Sequence, residues 1–391
     1  MTPRRLRLGI AGLGRGFMLM LPTLRAHPRV AVVAAADPRA EARRQFEADF
    51  GGRAYDSVDA LWADSDVEAI YVATPHELHA AHAITAAGAG KHLLVEKPMA
   101  VTLAECDAMN AAARAAGVRL IVGPSHSFDA PIARARSLID SGAYGRVRMI
   151  TALNYTDFLY RPRRPEELDT RQGGGVVFSQ GAHQVDVARL LAGSPVRSVR
   201  AVTGAWDPAR PTEGAYTALL TFADGACASL TYSGYAHFDS DALMGWVGEM
   251  GHRKDPDRYW TTRAATLKAG SREAEAALKN TRAYGSATAS APAPAGHGHF
   301  GLVIVSCEHA DLQPMPDAVH VHADDRRIVE PVPATSVPRA EVIDELYAAV
   351  VDRVPPLHDG EWARDTLAAT VAILESAREG REVVPQARGR P

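Results

Sequence analysis

A chain of 391 residues with 47% hydrophobic and 23% charged residues has the composition of a soluble globular protein and suits two domains of ordinary size. Its formal net charge of -3 gives no broad electrostatic reason to bind nucleic acid or an anionic membrane, so we expect a small-molecule partner. Three scattered cysteines, none in a CxxC pair, argue against a disulfide framework and a thiolate zinc site and suit a reducing cytoplasm. No apolar run reaches the roughly 20 residues that a membrane-spanning helix needs.

The first segment, LRLGIAGLGRGF, predicts a buried strand, a glycine turn and a helix start. Gly12 and Gly14 would let the backbone approach a pyrophosphate held at the helix N-terminus, beside Arg15. In the fingerprint G-x-G-x-x-G the third glycine would fall on Phe17, whereas Gly16 stands one place early. An ordinary strand-to-helix turn is therefore the alternative interpretation.

The next strand, VAVVAAADP, ends on Asp37, about 20 residues after the glycines. An acidic residue at this place typically holds the ribose hydroxyls and repels a ribose phosphate. NAD is therefore predicted in preference to NADP. Arg39 would soften the preference, unless it is only a solvated charge at a helix start.

Further strands, AIYVAT, HLLVE and VRLIV, alternate with helical stretches and predict a doubly wound parallel sheet that binds its ligand at the carboxyl ends of the strands. Lys97 follows one of these ends and is one of only five lysines in a chain rich in arginine. Unlike arginine, a partly desolvated lysine can lose its proton, which suggests a chemical role. The other candidate cofactor residues in these loops are Thr74, Pro75, His76, His79 and Glu96.

The second half predicts a different architecture, an α+β domain. After position 125 come a helix, a glycine turn and a strand, followed by the short β-rich runs VRSVRAVTG, YTALLTFAD and CASLTYSGY. Two amphipathic helices separated by a proline turn form the tail. We expect domains at 1–125 and 126–338, and a helical segment at 339–391.

The segment GGGVVFSQGAHQVD begins with glycines and then becomes helical, which predicts that Ser179 and His183 lie one turn apart on one face. An imidazole can exchange protons near neutral pH, so His183 is a candidate acid or base. A satisfied core histidine is the alternative. Asp186 is expected to orient a neighbour or cap the helix.

Between the first strand of this half and the glycines lies YTDFLYRPRRPEELDTRQ, which begins at Tyr155, a candidate substrate contact. Arginine forks bind carboxylates, so an acidic substrate is plausible, although a basic surface loop or subunit contact would show the same composition. Its arginines are Arg161, Arg163, Arg164 and Arg171.

Residues 236–300 form a long insertion whose first part is rich in aromatic and basic residues and whose second part, ATASAPAPAGHGH, is of low complexity. Such an insertion typically serves as a lid, a substrate wall or an interface. His252 and Arg253 are its candidate substrate contacts. The scattered histidines after it lack a metal-binding spacing such as HExxH, so no metal is predicted.

The order GLGRG, AAADP, VATPHELH, VEKPMA, GGGVVFSQGAHQVD resembles the glucose-fructose oxidoreductase, inositol dehydrogenase and MocA family (Gfo/Idh/MocA) over nearly the whole chain. The resemblance implies an N-terminal Rossmann domain and a C-terminal domain with an open, mostly antiparallel sheet, whose face pairs subunits into a dimer or tetramer. It implies that the tail packs back on the nucleotide domain and that Lys97 lies beside the nicotinamide and the reacting hydroxyl. Many members carry aspartate where this chain has Ser179, which removes a carboxylate that would relay a proton from His183.

MGHRKDPDRYW and HFGLVIVSCEHADLQPMPDAVHVHADD are most similar to the branch that contains phthalate dihydrodiol dehydrogenase. This similarity implies an NAD-dependent dehydrogenase that oxidises a cis-dihydrodiol dicarboxylate with Lys97 and His183 as acid–base groups. The alternatives are a sugar or cyclitol dehydrogenase and, from another class, a non-catalytic NAD(H)-sensing protein. Which of Lys97 and His183 is the formal base stays open, as does the stereochemistry of hydride transfer.

Overall fold

The computed structural model describes residues 4–235, 237–281, 283–285 and 294–388, which form two compact units. Described residues 4–124, 277–281, 283–285 and 335–364 form the first unit. The second unit takes 125–235, 237–276, 294–334 and 365–388.

Parallel strands form the central sheet of the first unit in the order β3-β2-β1-β4-β5-β6. Its strands are β1 (Leu6–Ala11), β2 (Val30–Ala36), β3 (Arg53–Tyr55), β4 (Ala69–Val72), β5 (His92–Val95) and β6 (Leu120–Val122). The helices between them are α1 (Arg15–Ala26), α2 (Ala40–Phe50), α3 (Val58–Ala63), α4 (His79–Gly88) and α5 (Leu103–Ala116). Strands β1, β4 and β5 are nearly continuous runs of apolar residues and are almost entirely buried, as expected for strands that are covered on both faces. The strand order reverses between β1 and β4, which is where a doubly wound sheet binds its ligand.

A second, mixed sheet organises the second unit in the order β14-β13-β12-β11-β7-β10-β9-β8. Its strands are β7 (Val147–Tyr155), β8 (Val196–Gly204), β9 (Ala215–Phe222), β10 (Cys227–Ser233), β11 (Leu302–Cys307), β12 (Ala310–Met315), β13 (Ala318–Ala323) and β14 (Arg327–Pro331). Only β7 and β10 pair in parallel among these described strands, and the other pairs are antiparallel. The predicted fold class is confirmed.

The remaining helices are α6 (Ala130–Asp140), α7 (Ala182–Ala192), α8 (Thr261–Ala269), α9 (Arg272–Asn280), α10 (Ala340–Val350) and α11 (Gly360–Glu379). Every residue of α7 is buried. Gln184 ties this helix to the second sheet, because it accepts from the Tyr216 hydroxyl at 2.5 Å and donates to the carbonyl of Thr231 at 3.1 Å. These hydrogen bonds fix the position of the helix backbone at the neighbouring residue, His183.

The tail is divided between the units, in contrast to the single segment expected at 339–391. The start of α11 belongs to the first unit, where Arg364 pairs with Asp107 at 3.1 Å. Its later part belongs to the second unit, where Thr366 donates to Asp186 at 3.1 Å and Ser376 accepts from the amide of Ala201 at 2.9 Å.

No helix within the described ranges is both long and apolar enough to cross a membrane.

Candidate active site

The turn after β1 requires glycine. Gly12 has a φ of +93°, and a Cβ added there would lie 2.8 Å from the carbonyl oxygen of Ala73. Gly14 precedes α1, and a Cβ at that position would face open space. The helix makes its first hydrogen bond from the Met18 amide to the Gly14 carbonyl, so the amides before Met18 lack helical partners. This cradle fits a pyrophosphate.

Three predicted cofactor residues differ in what they can offer. A Cβ on Gly16 would lie 3.1 Å from Oε1 of Glu96. The absence of a side chain at Gly16 therefore lets the Glu96 carboxylate pack closely against the start of α1. Phe17 has no exposed surface, which leaves only its backbone to face a ligand. Arg15 is exposed at the first position of α1.

Asp37 and Arg39 form a closed hydrogen-bonded unit. The Asp37 carboxylate accepts from the Leu13 amide at 2.8 Å, from the Arg39 amide at 2.9 Å and from the Arg39 guanidinium at 3.0 and 3.1 Å. These donors fill the roughly four acceptor sites of a carboxylate. The Arg39 guanidinium also donates to the carbonyls of Leu13 and Tyr284 at 2.8 and 3.2 Å. Ribose hydroxyls would therefore have to replace the Arg39 side chain on Asp37.

Tyr284 is a contact that the sequence did not predict. Its ring meets that of Phe17 edge-on at 5.0 Å, and its hydroxyl donates to Asp49 at 2.5 Å. The residue comes from the insertion, yet it belongs to the first unit and lies against the nucleotide loop. The sequence carried no signal for this, because the contact joins residues more than 200 positions apart.

His79 braces the loops that follow β4 and β5. Its ring nitrogens lie 2.9 Å from the carbonyl of Thr74 and 3.0 Å from that of Pro98, and its side chain has no exposed surface. Burial lowers the pKa of His79, although the two carbonyls oppose this. Pro75 precedes a short 3-10 turn that begins at His76, whose ring lies 5.5 Å from His79. Because His79 is buried, it would influence a cofactor only indirectly, by holding these two loops in place.

Lys97 is half-buried at the carboxyl end of β5, and its peptide bond to Pro98 is cis. The preceding Glu96 accepts a hydrogen bond from the Tyr71 hydroxyl at 2.5 Å. Burial raises the pKa of Glu96, while the Tyr71 hydroxyl and the charge of Lys97 act to lower it. Tyr71 thus holds a carboxylate next to the lysine amine.

In the second unit, Gly175 seats the segment that leads to His183. It has a φ of +83°, and a Cβ there would lie 2.1 Å from Oε1 of Glu213. That carboxylate accepts from the amide of Val177 at 3.1 Å, and burial raises its pKa. Glycine at 175 therefore leaves room for the buried carboxylate of Glu213, and this carboxylate holds the backbone at Val177, where the following helical turn begins.

The helical turn predicted between Ser179 and His183 is π-helical, spanning Val177–Gly181, and it continues directly into α7. Ser179 is half-buried, and His183 is 7% exposed. Such π-turns often occur at functional sites.

Two rings and a hydroxyl surround His183. Its Nδ1 lies 3.3 Å from the Ser125 hydroxyl, and its ring centroid lies 4.8 Å from His126 and 4.9 Å from Phe300. His126 in turn pairs with Asp129 at 2.6 Å. None of these three neighbours was predicted, although two of them lie in GPSHSFD, which directly follows β6, and a polar run at a strand end is a usable signal.

Each of the four predicted arginines in the loop is paired with an acidic side chain. Arg161 lies between Asp157 at 2.7 Å and Glu249 at 3.1 Å, and although burial opposes the charge, these carboxylates raise the pKa of Arg161. The other ion pairs are Arg163–Glu167 at 3.5 Å, Arg164–Glu166 at 2.9 Å, Arg164–Glu167 at 3.8 Å and Arg171–Asp169 at 3.0 Å. The Arg171 side chain is 90% exposed. A substrate carboxylate would compete with these acids, so the predicted carboxylate-binding role stays a prediction.

The remaining predicted substrate contacts lie in or against the insertion. The ring of Tyr155 lies 6.0 Å from that of Phe238. His252 is half-buried, and its Nδ1 has no hydrogen-bond partner within the described part of the chain. Arg253 is exposed. The low-complexity run of the insertion lies largely outside the described residues, which resume at 294.

Within the described ranges no group of three or more histidine, cysteine, aspartate or glutamate side chains is arranged to hold a metal ion.

Comparison with known proteins identifies the family. Residues 6–124 match the oxidoreductase family model for the NAD-binding Rossmann fold, and residues 132–252 match the GFO/IDH/MocA C-terminal domain. The chain belongs to the Gfo/Idh/MocA oxidoreductase family. The predicted family, the enzyme class and NAD as cofactor are thereby confirmed, and the protein is an NAD-dependent oxidoreductase.

Known proteins match this Gfo/Idh/MocA protein over nearly its full length. A 1-carboxy-3-chloro-3,4-dihydroxycyclohexa-1,5-diene dehydrogenase of Comamonas testosteroni is 50% identical over 377 residues, which is 95% of each chain. A solved structure described as a dehydrogenase of Bordetella bronchiseptica RB50 is 39% identical, with a TM-score of 0.92 over 97% of this chain and 100% of that one. Levoglucosan dehydrogenase in complex with NADH and levoglucosan shares the fold at 20% identity and a TM-score of 0.73, covering 98% of this chain and 100% of that one.

Proposed function

We propose that the protein oxidises a carboxylated cis-dihydrodiol of a cyclohexadiene to the corresponding aromatic diol. The observation that carries this proposal is the 50% identity, over 95% of both chains, to a dehydrogenase whose name specifies a carboxylated dihydroxycyclohexadiene. The phthalate 4,5-dihydrodiol inferred from the sequence belongs to the same chemical class and carries a second carboxylate.

The reaction removes two hydrogens from the ring. The carbinol C–H bond breaks with its electron pair, the hydroxyl loses its proton, and the resulting ketone tautomerises to an aromatic diol. NAD, when bound, supplies the hydride acceptor. Aromatisation makes the oxidation strongly favourable.

Lys97 and His183 are the proposed acid–base groups. The amine of Lys97 can donate to the substrate oxygen, and the imidazole of His183 can take its proton. In the first unit, the glycine turn and the N-terminus of α1 would hold the pyrophosphate, and the Asp37–Arg39 pair would face the adenosine ribose.

The test is NADH formation by the purified protein with a panel of substrates. The panel contains a monocarboxylated cyclohexadiene cis-diol, phthalate 4,5-cis-dihydrodiol, the uncarboxylated benzene cis-diol, myo-inositol and levoglucosan. Turnover confined to, or at least tenfold faster with, the carboxylated diols is expected. Preferential turnover of inositol or levoglucosan would contradict the proposal in favour of a cyclitol or sugar dehydrogenase, and NADH binding without turnover would favour a sensor.

A further inference from the structure

Asp186 is a buried carboxylate held by three hydroxyl groups. Ser125 and Ser127 both donate to its Oδ2, Ser125 at 2.7 Å, and Thr366 donates to Oδ1 at 3.1 Å. The carboxylate is 5% exposed. The guanidinium of Arg189 interacts with this carboxylate: burial lowers the pKa of Arg189, while Asp186 acts to raise it.

Ser125 is the hydroxyl that also reaches His183. Its oxygen lies 3.3 Å from Nδ1 of the imidazole. A serine hydroxyl has one proton, and that proton is directed to Asp186. Ser125 must therefore accept from His183, which places the imidazole proton on Nδ1 and leaves Nε2 as the nitrogen that can accept a proton.

We propose that Ser125 and Asp186 are positioning residues, which hold His183 in the Nδ1–H tautomer and stabilise the imidazolium formed when Nε2 takes the substrate proton. The proposal rests on the proposed function. It gives this chain a carboxylate behind His183 although Ser179 stands where many relatives carry aspartate. The negative charge acts through the Ser125 hydroxyl, which contacts both side chains.

Other titratable groups of the second unit also face His183. His126 lies against its ring and pairs with Asp129. Further out lie Glu249 and His299. Burial lowers the pKa of His299. Burial acts to raise the pKa of Glu249, but nearby cationic groups, Arg161 first among them, together lower it. A pH profile of the wild type alone would mix these groups, so the test needs variants that differ in a single hydroxyl.

Ser125 and Ser127 are such a matched pair, because both donate to the same oxygen of Asp186. In Ser125→Ala, kcat/KM for the carboxylated diol should fall about tenfold, equivalent to the loss of one stabilising hydrogen bond in the transition state. The acid limb of its pH profile should move to lower pH, since the imidazolium loses its support. Ser127→Ala should lose less activity and keep the limb in place, Ser125→Thr should recover most of the loss, and Asp186→Asn should reproduce the shift.

Equal losses in Ser125→Ala and Ser127→Ala with an unmoved acid limb would overturn the proposal, because that result describes packing alone. Near-normal activity of Ser125→Ala would overturn it too.

A second readout needs no turnover. In ¹⁵N-histidine spectra of the whole protein, with the His183 signals assigned by their loss in His183→Gln, the Nδ1–H tautomer is expected, and Ser125→Ala should increase the Nε2–H form. An Nε2–H tautomer in the wild type would overturn the inference whatever the substrate. An Nδ1–H tautomer in a protein that turns over none of the panel would overturn the proposed function and leave the positioning of His183 intact.

Discussion

At the scale of single residues, Lys97 is the side chain whose chemistry the sequence indicated most directly. It stands at the end of β5 beside a carboxylate that Tyr71 holds in place. Replacing Lys97 with methionine keeps the length of the side chain and removes the amine. Turnover should fall about 100-fold or more, while NADH binding, measured by fluorescence titration, should persist.

The control for that experiment is Lys268→Met, since Lys268 is exposed on α8. It should retain wild-type turnover. Turnover of Lys97→Met within threefold of the control would remove Lys97 from the chemistry.

Asp37 is the residue that we expect to set the preference for NAD over NADP. In Asp37→Ser the carboxylate that would repel a ribose phosphate is gone, and the Arg39 guanidinium loses its leading partner. The ratio of kcat/KM for NAD to that for NADP should fall about tenfold or more. An unchanged ratio, measured with the same diol, would show that discrimination lies elsewhere.

Sequence could place Asp37, Lys97 and His183, because strand ends and glycine segments follow from local pattern. It could not show that Arg39 fills the acceptor sites of Asp37 or that Ser125 bridges His183 and Asp186. Those arrangements depend on side chains brought together through space. The same limit explains the arginine loop, whose acidic partners lie partly in a distant segment at Glu249.

At the scale of elements, a substitution of Gly175 shows whether the segment before the π-turn requires glycine at this position. In Gly175→Ala the Cβ would meet Glu213 at a residue whose φ is already positive. A loss of about 2 to 4 kcal/mol in the free energy of unfolding is expected, measured by urea denaturation.

Gly142→Ala is the matched control, because Gly142 has a φ of +73° but nothing within 4 Å of an added Cβ. It should cost about 1 kcal/mol, from backbone strain alone. Equal losses in the two variants would show that contact with Glu213 is not what requires glycine at 175.

A buried ion pair in the insertion predicts a pH dependence of stability. Burial raises the pKa of Asp241 to about 7, although Lys254, 2.7 Å away, acts to lower it. The folded state therefore binds more protons than the unfolded state between about pH 4 and pH 7, so stability from this group is lost as pH rises through that window. Relative to Asp241→Asn, the wild type should lose up to roughly 1.4 kcal/mol per pH unit there.

Urea denaturation at pH 5, 6, 7 and 8 measures this difference. Asp325→Asn, at an exposed position, should show a constant difference from the wild type across the same range. A constant difference for Asp241→Asn as well would contradict the prediction.

Most elements could be predicted from the sequence, because apolar runs of strand length and helical periodicity are local signals. The strand Arg53–Tyr55 was not predicted, since three residues with one exposed member carry little pattern. The π-helical character of Val177–Gly181 was not predicted either. The first residue of this turn donates its amide to Glu213, which lies 36 positions away and gives no local signal.

At the scale of the whole molecule, one face of the second sheet exposes three large apolar side chains. Met149, Val202 and Leu219 are 46%, 64% and 47% exposed, and their strands place them on the same face. We propose that a second copy of the chain covers this face, as the family resemblance implied. The double variant Val202→Arg and Leu219→Arg should be a monomer, whereas the wild type should be an oligomer. Sedimentation equilibrium measures the difference.

Leu267→Arg, on an exposed position of α8, should leave the oligomeric state unchanged. A monomeric wild type, or the same dissociation in this control, would contradict the proposed interface.

The overall architecture could be predicted because strand–helix alternation and family motifs cover nearly the whole chain. The sharing of α11 between two units could not, since both of its halves show the same amphipathic pattern. Nor could the return of the insertion to the nucleotide loop at Tyr284, because nothing in its local sequence indicates a partner.

The most direct test of the central proposal follows the hydrogen itself. A carboxylated cyclohexadiene cis-diol deuterated at the carbinol carbons would be incubated with the purified protein and NAD, and both products examined by NMR and mass spectrometry. One deuterium on C4 of the reduced nicotinamide, together with a stoichiometric aromatic diol, is the expected result. An absence of aromatic product, or NADH that carries no deuterium, would contradict dehydrogenation of the diol.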